Sequence, residues 1–159
     1  MLKLTVRVLD SHFSLLSKAE EFTICRMVKS GKSYRGPCPC GSWQSYERCC
    51  QRWHQGQLPA DAEVLMRSRY SAFVLRLEDY LLASWHPQTR PLELNLNVLA
   101  RRWLGLKILR HEGSTANTAI VEFIASYKAG GRAHKLHERS RFVREDGRWL
   151  YVDGNTSEI

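Results

Sequence analysis

Four cysteines fall within thirteen residues, in the run Pro37-Cys38-Pro39-Cys40-Gly41-Ser42-Trp43-Gln44-Ser45-Tyr46-Glu47-Arg48-Cys49-Cys50, spaced C-x-C-x8-C-C. Four soft ligands this close in sequence suit a tetrahedral Zn2+ site with Zn–S bonds near ~2.3 Å. Pro37 and Pro39 stiffen the first pair, and Gly41 opens backbone conformations closed to other residues just after Cys40. Ser42 and the neighbouring amides offer donors to thiolate sulfur, and Trp43 and Tyr46 are the large side chains at hand to cover the site. The spacing differs from the separated C-x-x-C knuckles of a zinc ribbon. Two other chemistries compete with zinc. Disulfide bonding across Cys49 and Cys50 would close a strained vicinal ring, and an intracellular thiol stays reduced. A C-x-C redox pair is the other. Cys25 stands apart, as a buried or free thiol rather than a ligand.

A second chemistry lies further along the chain. In His134–Arg144 strict alternation puts Leu136, Glu138, Ser140 and Phe142 on one face and His137, Arg139, Arg141 and Val143 on the other. Leu136 and Phe142 belong in a core, so Glu138 and Ser140 should point inward with them. Trp85, His86, Tyr127 and Asp153 are the residues expected to approach the same space. A buried carboxylate near a histidine is an acid/base pair. The structural alternative, and the stronger one, is an ion pair from Glu138 to Arg67 or Arg69, because buried carboxylates are usually paired. His86, beside Pro87, reads more readily as a helix-end cap than as a base. His137, Arg139 and Arg141 form a basic stripe or a dimer surface.

These residues need elements to position them. Pro59-Ala60-Asp61 opens a helix, with Asp61 and Glu63 complementing its N-terminal dipole. Val64, Leu65, Tyr70, Phe73, Val74 and Leu77 mark its apolar face, with Arg67, Arg69 and Arg76 off it or at its edge. Glu78-Asp79 starts a second helix, Tyr80 to Trp85, stopped at Pro87. Leu92–Leu99 is read as a short helix. The period then becomes two, with strands over Trp103–Arg110, Thr118–Tyr127, His134–Arg144 and Arg148–Val152. Gly113, Gly130-Gly131 and Asp146-Gly147 fall in the connectors. Two helices before a four-stranded antiparallel meander predict an α+β domain with the helices on one sheet face.

Residues 37–56 are therefore the metal segment and 57–159 the α+β domain, with 1–36 an N-terminal extension expected to be non-native or disordered. Leu2, Leu4, Val6 and Val8 alternate with polar residues, Ser17 to Met27 has helical character, and Ser30-Gly31-Lys32-Ser33 reads as a linker. Lys3 and Arg7 interrupt any signal-peptide core, and Arg26 stands where a phosphate loop needs glycine. Met27 is a candidate biological start, which native peptides before it would disprove. No apolar run approaches the roughly 18–20 residues of a membrane span.

At this point the residues carry a resemblance. Cys38, Cys40, Gly41, Ser42, Tyr46, Cys49 and Cys50 resemble the SEC-C motif, the short zinc module at the C-terminal end of the SecA translocation ATPase. Trp43 departs from it, standing where a second glycine is usual. Leu65-Met66-Arg67-Ser68-Arg69-Tyr70-Ser71-Ala72-Phe73, Asp79-Tyr80-Leu81, Trp85-His86-Pro87, Trp103-Leu104-Gly105-Leu106, Glu138-Arg139-Ser140-Arg141-Phe142 and Trp149-Leu150-Tyr151-Val152-Asp153-Gly154 resemble the middle domain of the YchJ family, which follows a SEC-C motif as here. The resemblance covers about residues 37–154. It implies an NTF2-like cone, in which a curved sheet wraps around helices, and a Zn2+ held by Cys38, Cys40, Cys49 and Cys50, with His54 as reserve ligand. Some relatives carry a second SEC-C motif at the C-terminus, whereas this sequence reaches Ile159 without one. The family is bacterial and has no activity to transfer.

Four protein ligands leave no open position, so the zinc is expected to be structural, with no catalytic residue assigned. A module this short takes most of its folding free energy from the metal. The leading expectation is a non-enzymatic cytoplasmic protein that docks a protein partner through the SEC-C module, with nucleic acid or ribosome a weaker partner and membrane none. The alternative is a small-molecule carrier or enzyme using Glu138 inside the cone. The +8 formal charge leans toward the metal segment, since residues 1–57 carry nine Lys/Arg against four Asp/Glu. Such a surplus fits acidic partners, and Lys29, Lys32, Arg35, Arg48 and Arg52 lie around the cysteines.

Overall fold

The computed structural model describes residues 34–96 and 101–159. The strand-like Leu2–Val8, the helical Ser17–Met27, Cys25, the linker at 30–33 and the candidate start at Met27 lie outside the described residues.

Past a single 3-10 turn at Tyr46–Arg48, the chain forms α1 (Gln51–His54), α2 (Ala62–Leu75) and α3 (Glu78–Ala83), then β1 (Arg102–Thr115), β2 (Thr118–Ala129), β3 (Arg132–Glu145) and β4 (Arg148–Glu158). Helix α2 begins one residue after the expected opening. Asp61 is its N-cap, and its carboxylate accepts from the Val64 amide at 2.8 Å, satisfying one of the orphan donors of the first turn. Pro59 stays outside the helix. Arg76, with φ of 57°, ends it in a left-handed residue.

The four strands form one antiparallel sheet in the order β1-β2-β3-β4, a meander of hairpins. All four run longer than expected, most of all β4, which continues through Asp153 and Gly154 to Glu158. Gly113 is not in a connector but inside β1, and the first hairpin turns at Ala116-Asn117. Register shifts interrupt β1 at three places and the β3–β4 pairing at one. Each adds local bend and twist, so the sheet curves around its helices.

The core lies between α2 and the concave face. Ala62, Leu65, Met66 and Tyr70 pack against Val121, Phe123, Ala125, Phe142 and Trp149. A smaller cluster of Ala72, Leu81 and Leu96 sits under α3. Trp85 closes the far side, bridging in parallel to Tyr151 and donating its indole N–H to the Val152 carbonyl at 3.1 Å. Leu92–Leu96 is irregular rather than helical, and residues 97–99 of that expected helix lie outside the described residues. Arg69 departs most from expectation. It lies inside the core at 2% exposure, not at the edge of the apolar face. Among the described residues, no helix is long and apolar enough to cross a membrane.

Candidate metal centre and cone cavity

The sulfurs of Cys38, Cys40, Cys49 and Cys50 all lie within 4.8 Å of one another. Cys40 and Cys49 are 3.6 Å apart and Cys49 and Cys50 3.9 Å, far beyond a bond and close to the ~3.8 Å edge of a tetrahedron with ~2.3 Å Zn–S bonds. The local fold explains the convergence. Pro37 bridges to Ser45, the Cys38 amide donates to the Gln44 carbonyl at 2.7 Å, and Gly41 turns with φ of 79°. The 3-10 turn and α1 then return Cys49 and Cys50 to the first pair. Ser42 Oγ donates to Cys49 Sγ at 3.1 Å, and Ser71 Oγ donates to Cys50 Sγ at 3.4 Å.

Four thiolates cannot share this volume without a cation. Sulfur contacts from Cys40 and Cys50 hold the Cys38 thiol far below its ordinary value. Hydrogen bonding with Cys38 and Cys40 pushes Cys50 well up, and burial pushes Cys49 up to about 11. A dication relieves that repulsion, and thiolate donors in this geometry fit a soft one.

His54 is elsewhere. Its Nδ1 accepts from Tyr46 Oη at 2.7 Å, and its Nε2 donates to the Ser68 carbonyl at 2.9 Å. With both nitrogens engaged away from the sulfurs, it ties α1 to α2 and adds no ligand atom to the cluster. Burial lowers its pKa, so the neutral ring is the one held. Arg67 adds a third tie, donating to the Cys40 carbonyl at 3.2 Å. Trp43 points the other way. It is 96% exposed, and its φ of 63° is the left-handed conformation that glycine adopts most easily.

The cone encloses a cavity of about 420 Å³. Glu138 and Trp85 line it, and Ser140 is fully buried beside them. Glu138 Oε1 accepts from Ser140 Oγ at 2.5 Å and from Tyr151 Oη at 3.1 Å. The expected ion pair is not formed. Arg67 pairs with Glu63 at 2.8 Å, while Arg69 gives Nη1 to the Leu81 carbonyl at 2.8 Å and Ser84 Oγ at 2.6 Å. The Arg69 guanidinium lies 4.4 Å over the Tyr151 ring and 4.9 Å over Trp85. Burial lowers its pKa only to about 10, so it stays charged at neutral pH.

The other three expected residues are not among those that line the cavity. His86 is anchored by its amide to the Tyr151 carbonyl and turns its ring to Glu145, 3.2 Å away. Tyr127 gives its hydroxyl to Glu158 at 2.6 Å. Asp153 faces the other side of the sheet, paired with Arg141, which is its cross-strand neighbour. Among the described residues no histidine lines the cavity, so the Glu–His acid/base pair has no counterpart there. Sequence reasoning missed Tyr151, Gly154 and the inward Arg69. A Cβ on Gly154 would fall 2.8 Å from the Glu138 carboxylate carbon, so glycine there makes room for the acid.

A family model described as the middle NTF2-like domain of YchJ matches residues 61–154. The chain belongs to the YchJ family. A UPF0225 protein of Bordetella pertussis is 52% identical over 131 residues, covering 80% of this chain and 98% of that protein. One from Methylibium petroleiphilum is 54% identical over 129 residues, covering 80% and 94%. A SEC-C motif containing protein from Rhodopseudomonas palustris, solved in solution, superposes with a TM-score of 0.67 at 34% identity, over 74% of this chain and 96% of that one. A crystal structure of a SEC-C motif containing protein from Psychrobacter arcticus gives 0.63 at 30% identity, over 77% and 82%. The chain thus has an NTF2-like α+β domain, with the cysteine cluster before it.

Proposed function

We propose that this protein is a non-enzymatic adaptor of the bacterial cytoplasm, in which a structural Zn2+ holds a SEC-C module that docks an acidic protein partner. A reducing compartment keeps the four thiols available to the metal. The observation that carries the reading is Trp43. A large aromatic stands fully exposed on the metal loop, in a backbone conformation that costs an L-residue roughly 1–2 kcal/mol. Strain of this kind persists where a side chain has a use. Arg35, Arg48 and Arg52 are exposed around the same module, and Arg52 covers Trp53 at 4.4 Å. Exposed tryptophan with arginine is the composition of interface anchors.

The strain also supplies the test, because Trp43→Gly removes the anchor while relieving the backbone. The variant is expected to keep one zinc per chain and gain about 1 kcal/mol in urea unfolding. In an affinity pull-down it should lose the same acidic, salt-sensitive partner that Cys49→Ser/Cys50→Ser loses. If Trp43→Gly and Arg48→Glu/Arg52→Glu both kept every partner, the docking reading would fail.

A second reading, a small-molecule carrier, is favoured by the cone cavity and the charged residues in its lining. The absence of a histidine from its described lining supports binding over acid/base chemistry. A ligand whose thermal shift disappears in the cavity-filling Val74→Trp would support it, and a shift unchanged by that variant would count against it.

A further inference from the structure

The cavity's charges are unevenly placed, and that unevenness names a class of occupant. Its walls are apolar and aromatic, with Met66, Phe73, Trp103, Phe123 and Leu136 among them. Its buried polar end holds one positive and one negative side chain, Arg69 and Glu138, joined through Tyr151 rather than paired directly. Those two charges offset each other. Arg69 and Glu138 are also already committed, through Nη1 to Leu81 and Ser84 and through Oε1 to Ser140 and Tyr151.

The exposed part of the lining is positive. Arg76, Arg101 and Arg102 all reach it and all are exposed, while Glu138 is the single carboxylate among the described lining residues. Arg101 is set in place by its guanidinium lying 4.7 Å over the Tyr127 ring. A planar guanidinium held on an aromatic face keeps its donor edge free to meet an anion. The interior therefore suits an uncharged apolar body, and the rim a negative group that stays partly hydrated. An anion drawn fully inside would lose its water against walls that are mostly carbon. A cation at the rim would meet like charges.

We propose that the cone binds an organic acid: an apolar, preferably aromatic body seated among Phe73, Trp103 and Phe123, with its anionic group at Arg101 and Arg102. The proposal rests on the carrier reading and gives it a ligand class. It needs no metal and no covalent step, and it leaves the docking reading untouched.

The test uses the full-length, metal-loaded protein and two fluorescent probes with the same ring system. Anilinonaphthalene sulfonate carries the anion, and phenylnaphthylamine lacks it. The sulfonate is expected to bind one site per chain, more tightly than the neutral probe. Its Kd should rise about threefold to tenfold in Arg101→Ala/Arg102→Ala, the range for losing two exposed charge contacts. Added salt should weaken it in the same direction by screening. Val74→Trp, on the α2 side of the lining, fills the cavity and should abolish both probes, with Ala125→Phe as a second blocking variant from the sheet side. Near-UV circular dichroism confirms that each variant keeps native packing. Equal binding of the two probes, indifferent to the arginine pair and to salt, would overturn the organic-acid class while leaving the carrier reading standing. No binding by either probe, or binding that both cavity-filling variants leave intact, would overturn the two together.

Discussion

Glu138 takes two hydroxyl donors on one oxygen and faces a residue with no side chain. Gly154 is its diagonal neighbour on β4, and any Cβ there would press on the carboxylate. Gly154→Ala is therefore expected to cost about 1–3 kcal/mol, as overpacking of a fitted site does. In a Glu138→Ala background the same change should cost less than half as much, since the atoms it strikes are gone. Urea unfolding of the four proteins in this cycle measures the coupling. Equal costs in both backgrounds would mean that the glycine serves the backbone instead. Glu138 and Ser140 were legible in the sequence because a strand alternates strictly and Leu136 and Phe142 fix which face is inside. His86, Tyr127 and Asp153 were not, because their placement depends on partners distant in sequence that alternation does not name. Asp153 is drawn to Arg141, Tyr127 to Glu158, and His86 to Glu145. His54 makes a pH prediction at the same scale. Its folded pKa is depressed by burial, so between that value and the unfolded ~6.5 the unfolded chain binds the proton first. The contribution of His54 is fully present above ~6.5 and is lost as pH falls through the window below it. Its ring signals in NMR should stay at their neutral positions at pH ~6.5, where a free imidazole is half protonated. Half-titration of His54 at that pH would contradict the burial account.

Helix α2 carries more of the molecule than its apolar face suggests. Residues 62, 65, 66, 69, 70 and 73 recur at three- and four-residue steps, and Arg69 belongs to that stripe by position although not by type. Reading the stripe by spacing alone would have placed it inward. Once there, its guanidinium joins α2 to α3 through Leu81 and Ser84, and to the sheet through Tyr151. Arg69→Ala leaves those buried acceptors unmatched and removes a positive charge that Glu138 interacts with across the cavity, at an expected cost of about 1–3 kcal/mol. The urea midpoint should fall accordingly, and Glu138→Gln in the same chain should return part of the loss by removing the stranded carboxylate. A midpoint unchanged by Arg69→Ala would mean that the guanidinium only fills space. Element type was readable along most of the chain because period three-to-four and period two are physically distinct signals. Lengths were less readable. Strand β4 runs on through Gly154 because β3 offers it a partner as far as Leu136↔Glu158, which the local sequence does not show.

Across the whole molecule, α2 is shared by two structures that fold for different reasons. One side supports the sheet through Leu65, Met66 and Tyr70, and the other receives the metal module through Arg67, Ser68 and Ser71. A module of this size has little core of its own, so metal binding is its folding free energy. Judged by its size alone, the module would unfold over residues 37–56 on chelation and spare everything else. The shared helix changes that expectation. Removing the metal should release residues 37–56, raise hydrogen exchange along the Ser68–Ala72 side of α2, and leave the amides of β2 and β3 protected. Metal that binds only the folded module stabilises whatever unfolds with it, and the three ties to α2 carry part of that stabilisation into the cone. A transmitted loss of about 1–2 kcal/mol would lower the cone's melting temperature by roughly 4–16 °C for a domain of this size. Scanning calorimetry with and without chelator reads this directly. The metal-loaded protein should melt in one transition, and the chelated one at a lower temperature with a smaller enthalpy. Ser71→Ala cuts one of the ties without touching a cysteine, so it should reduce the temperature shift caused by chelation. If the cone melted at the same temperature with and without metal, the module would be an appendage on α2 and not part of its support.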